Sequence, residues 1–242
     1  MVSEYLTPAS GGNLRLPANT PLHKQPHEPD GDTFTECTEL FEPKEGKWWS
    51  SMHMVWQLQN LAIPLFEACW PNHQAVFLFD NATNHTAFAH DALRVSSMNL
   101  SSGGNENHDM RDGWNPRTQE AQPIYILVRG RKVAKGMEAV LEERGLWRHG
   151  KLVPNLAFKL ELTATGIGLS LHCQIDNPDP SRKSKRVPNP QCLQGGECCA
   201  TEILSAQDDF RSTRSRLQEI VEDAGHIFLL YLKFHCELNW IE

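Results

Sequence analysis

Ala75-Val76-Phe77-Leu78-Phe79-Asp80-Asn81-Ala82-Thr83-Asn84-His85 is the stretch on which the fold turns. Five apolar residues run without a polar break and stop at an acid, the pattern of a short strand covered on both faces. A second run of this kind, His226-Ile227-Phe228-Leu229-Leu230-Tyr231, lies near the other end of the chain. Helical periodicity precedes each run. Val55, Leu58, Ala62, Leu65, Phe66 and Cys69 recur at three and four, with Ser50 or Ser51 as N-cap. Pro64 predicts a kink there because it removes a backbone donor and crowds the preceding turn. Trp70-Pro71-Asn72 predicts the stop. Ahead of the second run, Ser212 or Thr213 is expected to cap a helix with Leu217, Ile220, Val221 and Ala224 inward, closed by Gly225. Helix, strand ending in an acid, long intervening segment, helix, strand: this is α/β order, with a mixed or parallel sheet flanked by helices.

Outward from these runs the pattern weakens. Val2 to Leu6 and Asn13 to Leu16 suit a hairpin around Pro8-Ala9-Ser10-Gly11-Gly12, and residues 18–47 read as an exposed loop. Residues 96–114 are rich in Gly, Asn and Asp and predict a surface loop. Met137 to Arg144 predicts a helix with Met137, Val140 and Leu141 inward and Gly145 at its end. Residues 155–176 are apolar without clean periodicity, and residues 177–197, rich in Pro, Lys and Gly, read as disordered or loop. Residues 96–200 together read as a loop-rich, cysteine-bearing insertion.

The chain has 242 residues, enough for one sizeable domain, with ordinary apolar and charged content. A formal charge of −7 argues against a standalone nucleic-acid-binding domain, which needs a clear basic surface, though a local basic face remains compatible. No run nears the roughly 18 apolar residues of a membrane span. Met1-Val2-Ser3-Glu4-Tyr5 lacks the basic and apolar regions of a secretory signal. Seven scattered cysteines fit reduced thiols inside a cell, so the Asn-x-Ser/Thr matches at Asn81, Asn84 and Asn99 are read as chance.

Cleavage of phosphodiesters with two hard metal ions needs several carboxylates converging on ions about 3.5–4 Å apart. Carboxylates at strand ends suit that task because the sheet fixes their direction. Asp80, ending one buried run, and Glu242, just beyond the other, are the candidates. An acid at a strand end is more often there because the chain is returning to water.

The surrounding words shift that balance. Phe77-Leu78-Phe79-Asp80-Asn81-Ala82-Thr83-Asn84-His85 resembles the second-acid motif of mariner-like DDE transposases. Lys233-Phe234-His235-Cys236-Glu237-Leu238-Asn239-Trp240-Ile241-Glu242 resembles their third-acid motif. Gly46-Lys47-Trp48-Trp49, Met110-Arg111-Asp112-Gly113-Trp114, Val140 to Trp147, Glu197-Cys198-Cys199-Ala200 and Ala224-Gly225-His226 are similar, in order, to a fungal branch of that superfamily. The resemblance implies an RNase H-like mixed sheet flanked by helices and a partial catalytic domain over residues 1–242. It implies metal-dependent DNA cleavage and strand transfer, with Asp80 as second and Glu242 as third ligand of Mg²⁺ or Mn²⁺. It also implies transposon-end DNA as partner and the nucleus as location. The family's first Asp belongs to a strand upstream of the segment similar to Met1–Thr7, so an incomplete sheet without that central strand, and no transposition, are expected. The alternative is a non-enzymatic DNA- or protein-binding domain derived from a transposase.

Other candidates have plainer readings. Asp30, Asp32, Glu36, Asp208 and Asp209 end no convincing strand. Cys192, Cys198 and Cys199, with His172-Cys173, lack the two paired arms usual for structural zinc, so loop thiols and a partial zinc knuckle both stand. His85 and His235 are of interest by position. Trp48, Trp49, Trp56 and Trp70 read as core or helix-flanking residues, and Arg182-Lys183-Ser184-Lys185-Arg186 as a solvated loop, an import signal or a DNA backbone contact.

Overall fold

The computed structural model describes residues 2–9, 12–42, 44, 48–103, 109–147, 162–163, 166–167, 174–176, 186–188, 192 and 199–232. It is a mixed α/β protein whose described strands form seven small two-stranded sheets. Two compact units divide the chain. One comprises Met1–Ala89 with Arg214–Glu242, the other His90–Thr213.

In chain order, the first unit begins with β1 (Val2–Ser3), β2 (Leu6–Thr7), β3 (Gly12–Asn13) and β4 (Glu39–Leu40). Next come α1 (Ser51–Gln57), a π-helical turn over Leu58–Ala62, α2 (Ile63–Cys69) and β5 (Val76–Phe79). The second unit holds β6 (Gly113–Asn115), β7 (Glu120–Gln122), β8 (Tyr125–Val128), β9 (Arg131–Ala134) and α3 (Met137–Glu143). It continues through β10 (Leu162–Thr163), β11 (Gly166–Ile167), β12 (Gln174–Asp176), β13 (Arg186–Pro188), α4 (Ala200–Ser205) and α5 (Asp208–Arg211). The chain then returns to the first unit with α6 (Arg216–Asp223) and β14 (Ile227–Leu230). It leaves and re-enters that unit at neighbouring points. Phe88 bridges Ser215, and the Arg216 N–H donates to the Ala87 carbonyl at 2.8 Å.

The expected hairpin forms in part, as β2 against β3 with Leu6 opposite Asn13. β1 instead pairs with β4, Val2 opposite Leu40, so residues 18–47 are more than a loop. Phe34 and Cys37 from that segment are buried. Gln57, buried in α1, ties these pieces together. Its Nε2 donates to the Ser3 and Cys37 carbonyls at 2.9 and 2.7 Å, and its Oε1 accepts from Ser3 Oγ at 2.7 Å. Ser50 and His53 close a reciprocal cap on α1. The disturbance predicted at Pro64 takes the form of the π turn. There the Ile63 N–H reaches back to Leu58, a widened turn placed directly before the proline ring.

The core of the first unit gathers Leu14, Leu16, Met54, Leu58, Leu61, Leu65, Phe77, Phe79, Leu217, Val221 and Phe228. Burying each large side chain contributes about 1.5–3 kcal/mol. α6 buries Leu217, Ile220 and Val221 as its periodicity requires, and Gly225 follows in a positive-φ conformation at +81°. Its N-cap differs from expectation. Ser215 Oγ accepts from the Gln218 N–H at 3.2 Å, whereas Ser212 ends α5 and Thr213 Oγ1 donates to the Leu93 carbonyl.

β5 and β14 are parallel, Phe77 opposite Phe228 and Phe79 opposite Leu230, but they are not buried on both faces. Phe77, Phe79 and Phe228 face the core, while Val76 and Leu78 are half exposed, at 50% and 49%, with Ile227 and Leu229 beside them. The continuous apolar run hides an inside and an outside. Among the described residues β5 has β14 as its one strand neighbour, and the β2–β3 hairpin forms a separate sheet.

The second unit has its own core of Leu93, Met98, Met110, Ile124, Met137, Val140, Leu141, Ala200, Ile203, Leu204 and Phe210. Residues 96–114 read as surface loop from their composition, yet Met98 and Met110 anchor the stretch inward. α3 matches expectation, with Met137, Val140 and Leu141 buried and Gly145 at φ +71°. Most of residues 155–176 and 177–197 lies outside the described residues, and so do residues 182–185 of the basic run. Within those stretches β10–β11 and β12–β13 are antiparallel pairs. None of the described helices is long and apolar enough to cross a membrane.

Candidate active site

Asp80 follows the last residue of β5, where the strand leaves the core and its side chain turns to water. The neighbouring strand ends at the same level. The Tyr231 N–H donates to the Phe79 carbonyl at 2.8 Å, so Tyr231 and Leu232 leave β14 beside Asp80. The Asn81 amide donates to the Tyr231 carbonyl across the gap, pinning one strand exit to the other.

The carboxylate is held by a local turn. Asp80 Oδ1 accepts from the Ala82 N–H at 2.8 Å, an Asx-turn contact, and lies 2.6 Å from His85 Nδ1. His85 Nδ1 also lies 3.1 Å from the Asp80 carbonyl, and the His85 N–H closes the turn onto the Ala82 carbonyl at 2.9 Å. Both groups at Nδ1 are acceptors, so Nδ1 carries the proton and Nε2 keeps its lone pair in the neutral ring. The imidazole packs on Phe79 with centroids 5.4 Å apart, which fixes its plane. Asp80 is about half exposed and His85 mostly buried, and no donor among the described residues reaches Asp80 Oδ2. One oxygen is therefore oriented and the other is open.

Beneath the strand, Tyr5 stands edge-on to both Phe77 and Phe79, at 6.1 and 6.2 Å, and Phe228 stacks on Phe79 at 5.3 Å. These rings make the end of β5 a rigid mount for Asp80.

Glu242, the second acid expected, lies outside the described residues, as does His235. An open carboxylate oxygen suits Mg²⁺ or Mn²⁺, which favour hard oxygen donors. Among the described residues, however, no group of three His, Cys, Asp or Glu side chains converges as a metal site. Asp80 alone does not make one. The other acids are already bonded or remote from a strand tip. Asp209 is gripped by Arg144, Asp208 pairs with Arg211, and Glu36 sits in an isolated bridge opposite Arg15.

Of the zinc candidates, Cys192 and Cys199 are among the described residues. Cys198, Cys173 and His172 lie outside the described residues, and Cys199 is buried at the start of α4. Cys37, wholly buried, has its thiol pushed up to about 11, chiefly by burial, and is an inert packing group. Trp49 stacks on His53 at 5.1 Å and flanks the helix, whereas Trp48 is exposed.

Two supporting residues escape a reading of the sequence alone. Asn81 stands directly after a strand end, where a short amide reaches a neighbouring exit, and that position is its signal. Gln57 sits at a core position of a helical pattern, a polar residue on an apolar face, which signals a buried bonding partner. Comparison with protein-family models, with curated proteins and with solved structures finds no match to this chain.

Proposed function

We propose that the first unit derives from the catalytic domain of a DDE transposase, an RNase H-like arrangement for metal-dependent DNA cleavage and strand transfer. The observation carrying this reading is the parallel pair β5 and β14, whose exits lie side by side with Asp80 at one of them. The motif ending in Glu242 begins at Lys233, one residue past the described exit of β14. In this reading Asp80 and Glu242 are ligands of Mg²⁺ or Mn²⁺, which would activate the attacking oxygen and stabilise the leaving one. Asp80 supplies Oδ2 while Oδ1 stays tethered, and His85 holds the carboxylate's angle through Nδ1. Two carboxylates by themselves hold a hard divalent ion only weakly, so the affinity of this pair is expected to be low.

A second reading, a non-enzymatic DNA- or protein-binding module of the same descent, is favoured by the lack of a converging acid cluster among the described residues. Mn²⁺ titration followed by paramagnetic line broadening separates the two. Broadening centred on Asp80 and His85, weak in affinity and abolished by Asp80→Ala and by Glu242→Ala, supports the catalytic descent. Broadening that ignores Asp80→Ala, or DNA nicking that survives it, would falsify the site.

A further inference from the structure

The second unit carries a feature that the acid site does not use. β8 and β9 form a hairpin with a two-residue turn, Tyr125 opposite Ala134 and Val128 opposite Arg131, closed by Arg129 and Gly130 at φ +51° and +77°. Positive φ at both turn positions matches the twist of the strands and makes the turn tight. The root is locked. Ile124 and Ala134 are buried, the Lys135 N–H donates to the Ile124 carbonyl at 2.9 Å, and Lys135 Nζ is 3.0 Å from both Glu143 carboxylate oxygens.

Beyond the root the ribbon has no strand partner among the described residues. Ile126, Leu127 and Val128 are exposed, Leu127 to 67%. Successive strand residues point to opposite faces, so these three place apolar groups on both sides of the ribbon. Arg129, Arg131 and Lys132 are exposed around the tip, and among the described residues no acid pairs with them. Lys132 Nζ lies 4.4 Å over the Tyr125 ring, which holds it along the ribbon. Between Glu120 and Glu138 the sequence has four basic residues and no acidic one, in a chain of net charge −7.

An isolated two-stranded ribbon is marginal in water, and an exposed apolar and cationic one is a surface made for a partner. Its charge selects a polyanion. A bilayer would need the apex to be apolar, but the apex here is Arg129-Gly130, and driving an arginine deepest into lipid is unfavourable. A groove walled by phosphates rewards the same arrangement. The major groove of duplex DNA, about 12 Å wide, admits a two-stranded ribbon. The deep, narrow major groove of duplex RNA does not.

We propose that the β8–β9 ribbon is a DNA-docking arm, lying in the major groove with Arg129, Arg131 and Lys132 on the phosphates and the face that carries Leu127 against base edges. It shares a partner with the proposed function but stands on the ribbon's own geometry. The test is binding of the whole chain to a short random-sequence DNA duplex, read by fluorescence anisotropy over a salt series with a chelator present. Without divalent metal, failure of the acid-site reading leaves this result standing, and the converse. The wild-type chain is expected to bind. Changing Arg129→Gln, Arg131→Gln and Lys132→Gln together should weaken binding about tenfold or more near physiological salt. The same triple change should lower the log–log salt slope by about 2.7, at roughly 0.9 for each phosphate no longer neutralised. Leu127→Ser should weaken binding and leave the slope unchanged. The arm is overturned if wild type ignores the duplex, if the triple variant keeps its slope, or if anionic vesicles or duplex RNA are bound in preference to DNA.

Discussion

Aromatic packing fastens the first unit, whereas a buried ion pair fastens the second. In the first, Tyr5, Phe77, Phe79 and Phe228 meet under the parallel strands, and the acid at the strand tip keeps one oxygen open. In the second, the Arg144 guanidinium is wholly buried and forks onto Asp209 at 2.7 and 3.0 Å. Its Nε donates to Gln122 Oε1 at 2.8 Å, and the Phe210 ring lies 5.4 Å away. Asp209 also accepts from the Trp114 N–H at 2.8 Å. Gly113 leaves room for this, since a Cβ there would stand 2.6 Å from Asp209 Oδ2. The contrast separates two kinds of acid. Asp209 has its lone pairs committed to structure; Asp80 does not. A carboxylate with free bonding capacity on a rigid mount is the better candidate for chemistry.

The sharpest way to break this contrast is to remove the arginine. Arg144→Ala leaves a carboxylate largely buried without its partner and should cost the second unit about 3–5 kcal/mol. Denaturant unfolding followed by hydrogen exchange should show that loss in Val140, Leu141 and Leu204 amides and leave those of β5 and β14 protected. Replacing both partners, Arg144→Met with Asp209→Leu, should recover part of it, since Gln122 Oε1 and the Trp114 N–H then lose their partners. A small loss for Arg144→Ala would mean that the fork is not formed in solution.

Phe79→Ala is the counterpart in the first unit. It deprives Tyr5, Phe228 and His85 of a ring to pack on and should cost about 3–4 kcal/mol. With the His85 ring left unsupported, its imidazole signals should broaden or shift, whereas Arg144→Ala should leave them in place. Equal His85 shifts in both variants would erase the proposed difference.

Acid should discriminate next. Burial pushes the Asp209 carboxyl up, but hydrogen bonds from Arg144 and Trp114 outweigh it and hold the group below the usual carboxylate range. A depressed folded pKa contributes stability that is complete above the unfolded value, near about 4, and is lost as pH falls through the folded value. Melting of the second unit should therefore weaken below about pH 4. Asp209→Asn should be less stable at neutral pH and show a flatter acid limb. An unchanged acid limb in that variant would place the sensitivity elsewhere.

What the sequence makes legible follows from how local each signal is. α3 and α6 are readable because spacing and a closing glycine lie within one helix. The cap of α6 is not, since Ser212 and Thr213 have the right chemistry but bond elsewhere, and only the fold reveals that Ser215 is free to turn onto Gln218. Asp80 is readable as a strand-end acid. Its tether to His85 lies five residues away and is within reach, whereas the Asn81–Tyr231 tie spans the chain. Arg144 and Asp209 stand 65 positions apart, and no periodicity announces such a pair. Glu242 is readable as an acid beyond the second apolar run, and its role as a ligand rests on the resemblance.

The exposed face of β5 gives the smallest effect and the finest test. A strand covered on both sides would lose much from a polar substitution at either face, because apolar burial is lost in proportion to area. Leu78 is half exposed and points away from Phe77 and Phe79, so Leu78→Thr removes little buried surface and adds a β-branched residue suited to a strand. Its effect on stability should stay within about 0.5 kcal/mol. A loss of several times that size would show the face to be covered in solution. Unfolding midpoints compared over a range of protein concentrations would then tell a covering segment of the same chain from a second copy, since only association makes the midpoint depend on concentration.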